Sequence, residues 1–80
     1  AVAPQIPSDA IRAGIAGVVD VEFTVDTTGR VSQFRVLSSP DQVLTDAVSD
    51  AVMQWVFTPM VVDGSPQEWI AHQVFEFKIE

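Results

Sequence analysis

From Val19 to Val25 apolar and polar residues alternate without a break, with Val19, Val21, Phe23 and Val25 set against Asp20, Glu22 and Thr24. A period of two belongs to a strand with one face buried and the other wet, so this stretch commits the chain to a sheet that a second layer must cover. Asp26-Thr27-Thr28-Gly29 supplies turn residues, with Gly29 able to take a positive φ, and a second strand follows from Val31 to Leu37. Val31 is out of step with Phe34 and Val36. That mismatch requires either a bulge near Ser32-Gln33 or an outward-facing Val31, and the residues leave both open.

The covering layer is expected from helices. Ser39-Pro40-Asp41-Gln42 carries helix-start signals, with Ser39 as N-cap and Pro40 in the first turn. Leu44, Ala47, Val48, Ala51, Val52 and Trp55 then recur at three- and four-residue spacing, opposite Asp46, Ser49, Asp50 and Gln54. The helix is expected to end between Trp55 and Phe57, because Pro59 disfavours helix at Thr58. A shorter helix over Asp9–Ala13 follows the extended Pro4-Gln5-Ile6-Pro7, with Ser8 as its cap and Gly14 as its stop.

Asp63-Gly64-Ser65-Pro66 signals a turn, and Trp69 to Ile79 reads as a closing strand with Phe75, Phe77 and Ile79 on one face and Val74, Glu76 and Lys78 on the other. The order is α-β-β-α-β, an α+β fold. The first two strands pair antiparallel through their short turn, while the long helix carries the chain across to the free side of the first strand. The expected sheet is three-stranded with order 2-1-3, and both helices cover one face. Eighty residues leave room for a single core, so residues 8–80 form one domain after an extended segment, 1–7.

This order leaves the last strand at an edge with unpaired backbone groups. Its residues Ala71, His72, Gln73, Val74, Phe75, Glu76, Phe77 and Lys78 are free of proline and only lightly guarded by charge at Glu76 and Lys78. Long edges of that kind are templates for another strand. The edge either receives a partner segment or pairs with a second copy to give a homodimer.

Composition removes other classes of function. A net charge of -7 repels nucleic acid and anionic lipid. With no cysteine and one histidine, His72, the chain has too few ligands for a zinc site. Asp20 and Glu22 alternate on what reads as the wet outer face of the strand, whereas carboxylates that do acid–base chemistry need burial or partners that shift their pKa values. No nucleophile elbow or phosphate cradle is present. The chain therefore reads as a binding module with no enzyme activity and no cofactor. No apolar run approaches the roughly 18 to 20 residues that cross a bilayer. Trp55 and Phe57 read as core anchors, whereas Trp69 suits either core or partner contact.

Pro4-Gln5-Ile6-Pro7, Gly17-Val18-Val19-Asp20-Val21-Glu22-Phe23-Thr24-Val25, Gly29-Arg30-Val31, Val36-Leu37-Ser38-Ser39, Trp55-Val56-Phe57-Thr58-Pro59 and Val74-Phe75-Glu76-Phe77-Lys78-Ile79 stand in an order and spacing that resembles the TonB C-terminal domain family. The resemblance covers nearly the whole chain. It implies a periplasmic domain of an energy transducer anchored in the inner membrane of Gram-negative bacteria and driven there by a proton-motive complex. The partner it implies is the Ton box of an outer-membrane transporter, added as a strand beside the closing strand. The family often carries Gln-Tyr-Pro where this chain has Gln5, Ile6 and Pro7, residues the resemblance places near the guest peptide; Gln5 and Pro7 carry over and Ile6 replaces the tyrosine.

Overall fold

A computed structural model describes residues 3–6 and 8–78 of the chain. Its frame is an antiparallel sheet in which β1 (Gly17–Val25) lies between β2 (Val31–Ser38) and the long closing strand, β5 (Trp69–Phe77). β1 buries every second residue, as its alternation predicts: Val19, Val21, Phe23 and Val25 are all within 3% of complete burial. Each such side chain removed from water contributes about 1.5–3 kcal/mol, so this row is the floor of the core.

β2 resolves the Val31 question in favour of the bulge. Val25 pairs with Val31 and Thr24 with Gln33, which leaves Ser32 as the extra residue and returns Val31 to the buried face. A second register shift leaves Leu37 unpaired between Val36 and Ser38. The turn before β2 is tied to the far end of the fold, since Phe57 N–H donates to the Gly29 carbonyl at 2.7 Å and Arg30 bridges Val56.

The roof is α2 (Gln42–Val52), which buries Leu44, Ala47, Val48, Ala51 and Val52. Its cap is Asp41, where the sequence pointed to Ser39. Asp41 sits in extended backbone and its carboxylate accepts from Val43 N–H at 2.9 Å. Ser39 instead braces the cap, donating to the Asp41 carbonyl and accepting from the Thr45 hydroxyl. α2 also ends earlier than the Trp55–Phe57 expected: the N–H groups of Gln54 and Trp55 bond back three residues to Ala51 and Val52, tightening the last turn. Val56 is then free to join Arg30 in its bridge.

α1 (Ser8–Arg12) includes Ser8, the residue expected to precede it, and Gly14 (φ 73°) closes it with an N–H bond to the Ile11 carbonyl. Five residues offer too little apolar surface to make a layer, and Ile11 is 61% exposed. The expected pair of covering helices therefore reduces to α2, helped by Ile6 and Ile15, which pack against the core.

A further element stands where only a turn was expected. β3 (Met60–Val62) and β4 (Ser65–Gln67) form a hairpin joined by Asp63-Gly64, both with positive φ. All six strand residues are exposed. The Asp-Gly pair between two short runs is the local signal for such a hairpin.

Candidate partner-binding edge

β5 is held to the body by its inward series. Trp69, Ala71, Phe75 and Phe77 pack against the core. Trp55 and Phe57, freed from the helix, complete an aromatic cluster that joins β1 to β5. Trp55 meets Phe23 edge-on at 5.9 Å and Phe75 at 5.8 Å, while Phe57 meets Trp69 edge-on at 5.4 Å. Trp69 thus belongs to the packed interior, although its indole N–H is buried with no hydrogen-bond partner among the described residues.

The opposite series, Ile70, His72, Val74 and Glu76, is exposed. Backbone direction follows from the ladder. Asp26 N–H donates to the Arg30 carbonyl and the Thr24 carbonyl accepts from Ser32 Oγ, so the even-numbered residues of β1 turn their backbone groups toward β2. The odd-numbered ones turn toward β5, where Val19, Val21, Phe23 and Val25 pair with Phe75, Gln73, Ala71 and Trp69. The N–H and C=O groups of Ile70, His72, Val74 and Glu76 are left pointing away from the sheet. Within the β5 strand there is no proline to interrupt them.

The charges around this edge are matched locally. His72 contacts Asp20, Glu22 pairs with Arg35 at 3.1 Å, and Lys78 pairs with Glu76 at 3.1 Å. Among the described residues no group of three His, Asp or Glu side chains is placed to hold a metal. Among the described residues a carboxyl away from this edge is perturbed: hydrogen bonds from the Thr28 hydroxyl, then Thr28 N–H and Arg30 N–H, hold Asp26 below the usual carboxylate value.

Of the residues read as partner-binding, Ala71 to Lys78 therefore lie together on or beside one free edge. Gln5 lies against α2, lining a cleft of about 430 Å³ with Ala3, Ala47, Asp50, Ala51 and Gln54. Ile6 packs on the core, and Pro7 falls outside the described residues. Gln73 carries a contact that sequence reasoning missed. Its Nε2 donates to the Val74 carbonyl at 3.2 Å.

The other sheet borders are less suited to a guest. β2 is bent by its bulges at Ser32 and Leu37, and irregular edges resist pairing. In the hairpin, Pro66 sits opposite Val61, one step beyond the closing Val62–Ser65 pair. It removes a donor from the outer side of β4.

The family model for the C-terminal region of the Gram-negative bacterial TonB protein matches residues 2–79. The chain belongs to the TonB C-terminal family. Two curated TonB proteins are similar to it: that of Vibrio cholerae, 34% identical over 80 residues, and that of Pseudomonas aeruginosa, 37% identical over 78. The chain is covered to 99% and 96% in these matches but spans only 33% and 23% of the relatives' length. The solution structure of the Pseudomonas aeruginosa TonB C-terminal domain superposes with a TM-score of 0.82 at 37% identity, over 96% of this chain and 79% of that one. A TonB2 structure from Vibrio anguillarum gives 0.73 at 33% identity, over 96% and 74%. The sheet and its covering helix are thus those of a TonB C-terminal domain.

Proposed function

We propose that this domain works in the periplasm as the partner-binding end of a TonB-like energy transducer, taking the Ton box of an outer-membrane transporter as an added strand along β5. The parent protein, in this reading, is anchored in the inner membrane and driven by a proton-motive complex. The domain transmits force through the captured strand and catalyses nothing.

The observation that carries the proposal is the outward row of backbone groups at Ile70, His72, Val74 and Glu76 on a strand whose other side is fixed to β1 along its whole length. Main-chain bonds to that row supply affinity without requiring a particular guest sequence, and neighbouring side chains add selectivity. Each bond is worth about 1 kcal/mol net, so a handful gives the modest affinity that suits a link made and broken repeatedly. Family membership supports the same partner class.

The test is a titration of the domain with a synthetic Ton box peptide, followed by amide chemical shifts. The largest changes are expected along Ile70 to Glu76, and Val74→Pro, which removes an outward donor, is expected to weaken binding at least about tenfold. Shifts centred elsewhere, with Val74→Pro binding normally, would reject edge capture. The same free edge also suits pairing between two copies. Light scattering across a dilution series, read beside the peptide titration, separates the two: a persistent dimer that binds no peptide favours self-association.

A further inference from the structure

We propose that Gln73 gates the β5 edge: its side-chain amide occupies the outward carbonyl of Val74 in the free domain and competes there with the N–H of a guest strand. The inference rests on the strand-capture reading.

Two observations lead to it. Gln73 belongs by register to the inward series of β5, since it pairs with Val21 between Ala71 and Phe75. Its neighbours in that series, Trp69, Ala71, Phe75 and Phe77, are partly buried against the core, whereas Gln73 is exposed. A polar side chain stands at the middle of an otherwise apolar row, and packing does not hold it. The second observation is where its amide goes. Nε2 donates to the Val74 carbonyl at 3.2 Å, and Val74 lies among the residues whose backbone groups face the edge.

A free edge must satisfy its carbonyls with water or with its own side chains. At Val74 the chain supplies its own donor, within one residue, and the guest's N–H competes for the same oxygen. An exposed neutral hydrogen bond has a small net value, so the gate biases the edge without sealing it. It blunts the centre of β5 against casual strand pairing, while a guest long enough to bond at Ile70, His72 and Glu76 as well outcompetes it.

Gln73→Ala removes the donor and Gln73→Met keeps the length without the donor. With a synthetic Ton box peptide and the folded domain, verified by its amide spectrum, both variants are expected to bind about two- to fivefold tighter. The gain should appear in the association rate, because the closed gate reduces the fraction of binding-competent edge. It should disappear for a peptide N-methylated at the amide that meets Val74. If both variants bind no tighter, or weaker through faster dissociation, while Val74→Pro still blocks binding, Gln73 is not a gate and capture stands. If Gln73→Met behaves like wild type and Gln73→Ala alone gains, side-chain bulk and not the hydrogen bond controls access, and the gate is rejected. Normal binding by Val74→Pro would remove the capture reading itself.

Discussion

Gly29 lies directly beneath Phe57. The Phe57 N–H donates to the Gly29 carbonyl at 2.7 Å, and a Cβ added to Gly29 would come within 1.9 Å of the Phe57 carbonyl oxygen. Two segments nearly thirty residues apart in sequence are thus locked backbone to backbone, and the lock places Phe57 against Phe23 and Trp69.

Gly29→Ala should accordingly be among the most damaging small substitutions. The residue's φ of 90° already disfavours a side chain, and the obstructing atom is backbone, which cannot rotate aside. We expect a loss of about 3 kcal/mol or more, read from urea unfolding. Gly64→Ala, at the hairpin tip with φ 80° and open space around it, should cost only about 1 kcal/mol.

Proline substitutions at adjacent positions of β5 should have opposite consequences. Gln73 turns its N–H toward Val21 of β1, so Gln73→Pro breaks the ladder and is expected to cost about 3 kcal/mol of stability. Val74→Pro leaves that ladder intact and affects mainly the guest. Thermal unfolding of the two variants side by side checks the backbone direction assigned to β5.

Acid should weaken the β1–β2 turn through Asp26. Its carboxylate accepts from Thr28 Oγ1 at 2.6 Å, Thr28 N–H at 2.9 Å and Arg30 N–H at 3.1 Å, which lowers its pKa from the ordinary 3.8. A pKa depressed by folding stabilises the fold above the unfolded value, and that contribution is lost as pH falls through the folded value. Asp26→Ala should therefore be less stable than wild type at neutral pH, with the difference shrinking on acidification below 3.8. Melting temperatures of both proteins between neutral and strongly acidic pH measure it.

Trp55→Ala should cost about 3–5 kcal/mol, because it empties the centre of the aromatic cluster between Phe23 and Phe75. The next residue provides the control. Val56 is 64% exposed, and Val56→Ala should change stability by no more than about 0.5 kcal/mol. Equal effects would show that the cluster does not bear on stability.

Much of this was legible in the residues. The alternation of Val19 to Val25 specified β1 and its buried face, the spacing of Leu44 to Val52 specified the α2 stripe, and the closing strand was visible as a proline-free edge. These are properties of local chain geometry, since the periods of strand and helix are fixed by backbone dihedrals and each side chain declares its face by position alone. The hairpin at Asp63-Gly64 was also locally signalled, although its strands are too short for periodicity to show.

Tertiary structure decided what depends on distant partners. Whether Val31 points inward rests on a bulge at Ser32, and a bulge exists only relative to the strand it faces. Trp55 continues the helical stripe in sequence and Phe57 stands at its expected end, yet the bridge to Arg30 and the lock on Gly29 leave both outside α2. Which amides of β5 face a visitor follows from register with β1, because a hydrogen bond's direction is set by both strands and neither sequence states it alone. For the same reason the exposed Gln73 reads as an ordinary polar residue until its amide is seen on the Val74 carbonyl.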